Sequence, residues 1–145
     1  MLSMYPAVFY KNEIGGYTVI FPDLEYAITE GKDEFEAMEM AVDCLAGFLY
    51  TSSIDEEEIP KTSDIQEINL QDFLKDKDVN IKEAFKTLVS VDVEEYAKLH
   101  FDKSVRKTLT IPAWLDKEAR KAKINFSKTL QEALLKKLHQ SYSRI

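Results

Sequence analysis

Val105-Arg106-Lys107-Thr108-Leu109-Thr110-Ile111-Pro112 is the stretch on which the organisation of this 145-residue chain depends. Its residues alternate: Val105, Leu109 and Ile111 lie on one face of an extended strand, and Arg106, Thr108 and Thr110 lie on the other. Pro112 ends the strand and suits a helix start, where its missing N–H costs little. A helix follows with Leu115, Ala119 and Ala122 on one side and Lys117, Arg120 and Lys121 exposed. After a break at Lys123 to Asn125, Ser127 is the expected N-cap of a second helix. There Leu130, Leu134 and Leu138 recur every four residues, widened by Ala133 and Leu135.

One strand and two short helices cannot bury a sufficient core alone, and the strand would leave its ladder unsatisfied. The consistent solution is a two-fold homodimer in which two copies of the strand pair antiparallel over four helices. Val105, Leu109, Ile111, Leu130 and Leu134 then form the expected dimer core. Arg106, Thr108 and Thr110, doubled by symmetry and joined by Lys107, become a ribbon shaped for a DNA major groove. Ser127 and Lys128, at the positive N-terminus of the second helix, are placed to take a backbone phosphate.

The charge agrees with a split chain. Residues 101–145 carry 11 Lys/Arg against 4 Asp/Glu, a balance of +7, whereas residues 1–100 carry 8 against 22, a balance of −14. The net −7 therefore conceals a basic part suited to a polyanion and an acidic part suited to a basic partner. Two domains are expected, 1–100 and 101–145.

The acidic part reads as α+β. Tyr5 to Tyr10 and Tyr17 to Phe21 are strands of a hairpin whose loop is Asn12 to Gly16. Pro22-Asp23 ends the second strand, and Tyr26 to Thr29 supplies a third, completing a three-stranded meander. Asp33, three residues before Glu36, has capping-box spacing, and Phe35, Met38, Val42, Leu45 and Leu49 mark one face of the helix that follows. Residues 51–80 read as an acidic loop, with short helical turns at Phe73-Leu74 and Ile81 to Phe85. Alternation at Val89, Val91 and Val93 gives a fourth strand, and the helix covers one sheet face.

Several classes are set aside by what the chain holds. No apolar run approaches the roughly 20 residues of a membrane helix, and residues 1–4 carry no export signal, so no membrane partner and a cytoplasmic location are expected. Met1 and Met4 are both candidate starts. Cys44 is the single cysteine, which excludes an internal disulfide, and it reads as a packed helix residue. His100 and His139 read as surface residues. No nucleophile, phosphate loop or metal-ligand motif is present, so no enzyme, metal or cofactor is expected. Two alternatives stand beside a binding protein: a DNA-binding repressor with a ligand-sensing acidic domain, and an Mg²⁺-dependent enzyme using Asp23, Glu25, Glu30 and Asp33.

The order of these motifs resembles families of known function. Arg106-Lys107-Thr108-Leu109-Thr110-Ile111-Pro112, followed by Ile124-Asn125-Phe126-Ser127-Lys128-Thr129-Leu130, resembles a ribbon-helix-helix DNA-binding domain. With Tyr5-Pro6-Ala7-Val8-Phe9, Gly16 to Leu24, Thr29-Glu30-Gly31 and Val91-Asp92-Val93, nearly the whole chain resembles a HicB-type antitoxin of a bacterial toxin–antitoxin pair. The resemblance implies a degenerate RNase-H-like fold without nuclease activity over roughly residues 4–97. It also implies that this domain neutralises a small basic mRNA-cleaving HicA-type toxin, while the C-terminal domain represses the operon at operator DNA. A larger toxin–antitoxin assembly can form on the homodimer. Asp23, Glu25, Tyr26 and Glu30 are the expected toxin contacts. The chain departs from the family in three places: Glu25-Tyr26 replaces a Pro-Gly type turn, residues 51–86 are longer than usual, and Lys123 stands where glycine is common.

Overall fold

A computed structural model describes residues 1–102 and 104–142, with side chains through residue 139. The chain divides into two compact units, Met1–Lys103 and Ser104–Ile145.

The first unit is built on four antiparallel strands, β1 (Leu2–Lys11), β2 (Tyr17–Ile20), β3 (Ile28–Gly31) and β4 (Ala84–Asp92), in the order β3-β2-β1-β4. The β1–β2 hairpin closes over Asn12 to Gly16, where the Asn12 side chain accepts from the Gly16 N–H and Gly15 takes φ 89°. Strand β1 begins at Leu2 instead of Tyr5 because β4 pairs with it from Leu2↔Asp92 to Tyr10↔Ala84. Pro6 is tolerated in this central strand because β2 pairs only with Val8 to Lys11, so Pro6 has a strand on one side alone.

Strand β3 lies two residues later than expected. Phe21 to Ala27 fold into successive turns, with Leu24 donating to Phe21 and Ala27 donating to Leu24, so extended pairing starts only at Ile28. Tyr26 closes this turn at φ 65°, the left-handed region where a Cβ is costly and glycine is favoured.

Helix α1 (Glu34–Ile54) starts where the capping-box spacing places it, with Asp33 accepting from the Glu36 N–H at 2.8 Å. Its buried face keeps Leu45 and Leu49 of the expected stripe but is centred on the alanines, and Phe35 falls outside it. Ala37, Ala41, Leu45, Ala46 and Leu49 are buried, Met38 and Val42 are half-buried, and Phe35 is exposed. Small residues allow the helix to approach β3 closely: a Cβ on Gly31 would collide with the Ala37 backbone. The core between helix and sheet joins Tyr5, Ala7, Phe9, Val19, Phe21, Val89 and Val91 to this face, with Phe85 stacked on Phe9 at 4.8 Å.

The long acidic segment is folded, not merely solvated. A 3-10 turn at Ile65–Glu67, helix α2 (Leu70–Phe73) and a 3-10 turn at Ile81–Glu83 are capped by Asp64, Asn69 and Asn80. The first is tied to β4, where Lys86 Nζ donates to the carbonyls of Ile65 and of its C-cap Ile68. Leu74 is fully buried, as are Pro6 and Val8, which pleating places on the sheet face opposite α1. The expected strand at Val93 ends one residue early. Asp92 caps helix α3 (Val93–His100) through the Glu95 N–H, and Tyr96 and Phe101 pack against the core.

In the second unit, residues 104–112 carry no ladder within the single chain, so the expected strand is unpaired here. Helix α4 (Ala113–Lys121) ends with Lys123 at φ 55°, its N–H donating to Arg120 while the Ile124 N–H reaches back to Ala119. This is a Schellman closure with lysine in the position glycine favours. The N-cap of α5 (Phe126–Tyr142) is Asn125 and not Ser127: Asn125 Oδ1 accepts from the Lys128 N–H, and its carbonyl accepts from Thr129. Asparagine caps as well as serine, and starting two residues earlier gains half a turn of helix.

Candidate partner and nucleic-acid interfaces

In the second unit, Ala119 is the one buried residue among those described. Leu109 is 62% exposed, Ile111 41% and Leu134 53%, and Val105 is still more open; Leu130 is half-buried. Trp114, which the sequence reading passed over, is also exposed. Leu109, Ile111, Phe126, Leu130 and Ala133 line an open cavity of about 550 Å³ between the extended segment and the two helices. Lys107 lines it as well, on the side of Leu109 and Ile111, in keeping with its odd position in the alternation. Arg106, Thr108 and Thr110 are exposed and do not line it. Ser127 and Lys128 lie in the exposed first turn of α5. Arg120 is engaged by Asp116 at 3.1 Å on the same helix.

In the first unit, the four expected contact residues separate into different roles. Asp23 accepts from both the N–H and the Oγ of Ser63, at 2.8 and 2.6 Å, so its carboxylate clasps the acidic segment to the end of β2. The Tyr5 hydroxyl adds a second tie to the same segment, donating to the Pro60 carbonyl at 2.6 Å. Burial, with the Asp23 charge nearby, raises the Tyr5 phenol above its ordinary range. Glu25 and Tyr26 project from the turn before β3 and are exposed, Tyr26 by 89%. Glu30 is exposed on β3, an edge strand; its partner Thr18 and its neighbour Ile28 share its side of the sheet, away from α1. Asp33 is occupied as the α1 cap. Among the described residues no three His, Cys, Asp or Glu side chains gather into a metal-holding group, so Asp23, Glu25, Glu30 and Asp33 do not converge. Among the same residues no helix is long and apolar enough to cross a membrane.

Tyr96 of α3 donates to Asp43 Oδ1 at 2.9 Å, tying α3 to α1, and stacks on His100 of its own helix at 4.0 Å. Desolvation, and then the bond to Asp43, raises the Tyr96 phenol. Burial, and then the Asp43 charge, raises the Cys44 thiol, so little thiolate is present at neutral pH. The capping pair Asp92 and Glu95 was a signal for α3 that the sequence reading did not use.

Comparison with known proteins gives this layout a family. The HicB-like antitoxins of bacterial toxin–antitoxin systems match residues 5–140. A chain of a toxin–antitoxin complex from Streptococcus pneumoniae is 37% identical, covering 94% of this chain and 99% of that one, with a TM-score of 0.62. A chain of the HicA3 and HicB3 toxin–antitoxin complex shares the fold at 18% identity and a TM-score of 0.50, over 62% of this chain and 99% of that one. Antitoxin HicB 1 of Photorhabdus laumondii is 43% identical over 56 residues, which are 39% of this chain and 36% of that protein. The aligned part is thus little more than a third of that relative's length. These matches define the chain as an antitoxin of a bacterial toxin–antitoxin system. It belongs to the HicB-like antitoxin family.

Proposed function

We propose that the protein neutralises a basic, mRNA-cleaving HicA-type toxin through unit 1–103 and represses its own operon in the cytoplasm through unit 104–145. The first unit is a degenerate RNase-H-like domain that acts by covering the toxin, not by chemistry. Its balance of −14 over residues 1–100 favours a cationic partner and repels RNA from the covered surface. The second unit is a ribbon-helix-helix domain that exists as a homodimer.

One observation carries the reading: the second unit has the apolar residues of a core but leaves them open, while its cationic and hydroxyl residues alternate with them. A second copy pairing at residues 105–111 would bury Val105, Leu109, Ile111, Leu130 and Leu134 and turn Arg106, Thr108 and Thr110 outward as a ribbon. Lys107, on the inward row, would reach a phosphate only by extending its stem past the ribbon edge. Ser127 and Lys128 would clamp the DNA backbone at the α5 N-terminus.

Arg106, the side chain able to pair bidentately with guanine, sets operator specificity in this account. Arg106→Ala should cost about 1–3 kcal/mol per contacted base pair while leaving fold and dimer intact. A mobility-shift assay at fixed salt measures this, and equal operator binding by variant and parent would remove the ribbon assignment.

A further inference from the structure

The turn before β3 and the flank of α1 enclose a feature that joins one expected contact, Tyr26, to helix residues the spacing did not single out. A groove of about 440 Å³ runs between the turn before β3 and one side of the helix. Tyr26 lines it from the turn, Asp43, Cys44, Gly47 and Phe48 line it from α1, and Glu57 is also among the lining residues. Asp43, Cys44, Gly47 and Phe48 recur at spacings of one, three and four, so they form one continuous stripe of α1. Gly47 carries no side chain to fill the space, and Asp43 is held in place by the Tyr96 hydroxyl.

The Tyr26 ring is almost wholly exposed although its backbone sits at φ 65°, a conformation that glycine would adopt more cheaply. An aromatic side chain at such a position costs stability in the free protein, and no contact of the ring recovers that cost. Aromatic rings and carboxylates lining one groove match a long cationic side chain. Such a side chain would have Tyr26 and Phe48 for its stem and Asp43 and Glu57 for its head.

We propose that this groove is the anchoring site for the basic toxin, receiving an arginine or lysine of the toxin between Tyr26 and α1. The inference rests on the toxin-binding reading and sharpens it, because it moves the contact from Asp23, which Ser63 occupies, and from Glu30, which faces the other side of the sheet. Complementary charge selects the occupant: the unit is strongly acidic, and the groove adds two carboxylates to two aromatic faces.

The experiment uses the full chain and the purified toxin. Tyr26→Gly suits the left-handed backbone, so it removes the ring without harming the fold, and Glu57→Lys reverses an exposed charge. Glu67→Lys, in the turn tied to β4, makes the same charge change away from the groove. Tyr26→Gly and Glu57→Lys should each weaken toxin binding by calorimetry about tenfold or more, as anchor residues do, and Glu67→Lys by about twofold at most. Because Cys44 is the single cysteine and lines the groove, its alkylation rate at pH 8.5, read by mass on the antitoxin chain, should fall about fivefold or more with toxin bound. Affinities of Tyr26→Gly and Glu57→Lys equal to that of Glu67→Lys, or an unchanged Cys44 rate in the complex, would overturn the groove while leaving toxin binding intact. Absence of toxin binding by the parent chain would overturn the toxin-binding reading itself, and the groove with it.

Discussion

The two units spend their apolar residues in opposite ways. In residues 1–103, Phe9, Val19, Phe21, Leu45 and Val89 are fully enclosed by one sheet and one helix of the same chain. In residues 104–142, Val105, Leu109, Ile111, Trp114 and Leu134 remain open, and of the described residues only Ala119 is buried. The first pattern is that of a domain that closes its own core. The second is that of half a core, stable only when another surface supplies the rest. Charge follows the same division, acidic where the core is complete and basic where it is not. Under the function proposed above, this contrast separates a unit that would act as a monomer on a protein from a unit that would have to assemble before reading DNA.

The largest expected effect tests that contrast at Leu109 and Ile111. Were the second unit self-sufficient, a charge at either exposed position would change little. If a second copy covers them, Leu109→Asp or Ile111→Asp buries an uncompensated carboxylate at a cost of about 3–5 kcal/mol. The dimer, the helicity of α4 and α5, and DNA binding should then be lost together. Light scattering and circular dichroism on each variant read the outcome, and a dimeric mass with full helicity would show that the pairing lies elsewhere.

A smaller effect belongs to the first unit alone. Gly31→Ala forces a Cβ against the Ala37 backbone and should destabilise this unit by about 1–3 kcal/mol, the range for overpacking. The single tryptophan, Trp114, lies in the other unit and reports on it separately. The part of the far-UV transition in urea that does not follow Trp114 should move down while the Trp114 fluorescence transition stays in place. Movement of both would mean that the units melt as one.

The smallest effect has the opposite sign and belongs to the second unit. Lys123 closes α4 at φ 55°, so Lys123→Gly should stabilise that unit by up to about 1 kcal/mol. A rise in the Trp114 transition midpoint of the dimer measures it. An unchanged or lowered midpoint would show that the lysine side chain contributes more than its backbone costs.

How much of this was legible in the sequence depends on how local the cause was. Asp33 and Glu36 announce the start of α1, and Asn12 with Gly15 and Gly16 announce the hairpin, because caps and turns are decided by neighbouring residues. Periodicity places Leu45 and Leu49 on the buried face of α1 but also Phe35, which is exposed, because the contact with β3 needs Ala37, Ala41 and Gly31, a requirement set by the sheet and not by the helix. Helix α3 was lost because Val93 continues the alternation of Val89 and Val91, masking the cap at Asp92. Among the candidate site residues, Arg106, Thr108 and Thr110 and their apolar neighbours Leu109 and Ile111 are all exposed in the single chain, so only the assembly can separate the two faces that alternation assigns. The clasp between Asp23 and Ser63, 40 positions apart, could not be read from spacing. Nor could the groove beside Tyr26, which joins a turn to the far half of a helix.

The central claim is the division of labour, and fragments test it most directly. A fragment of residues 1–103, keeping α3 and Phe101 on the core, should fold as a monomer and block RNA cleavage by the toxin in vitro without binding operator DNA. The complementary fragment 104–145 should bind operator as a dimer and leave the toxin active. Inhibition of cleavage by 104–145 alone, or none by a folded 1–103, would contradict the account.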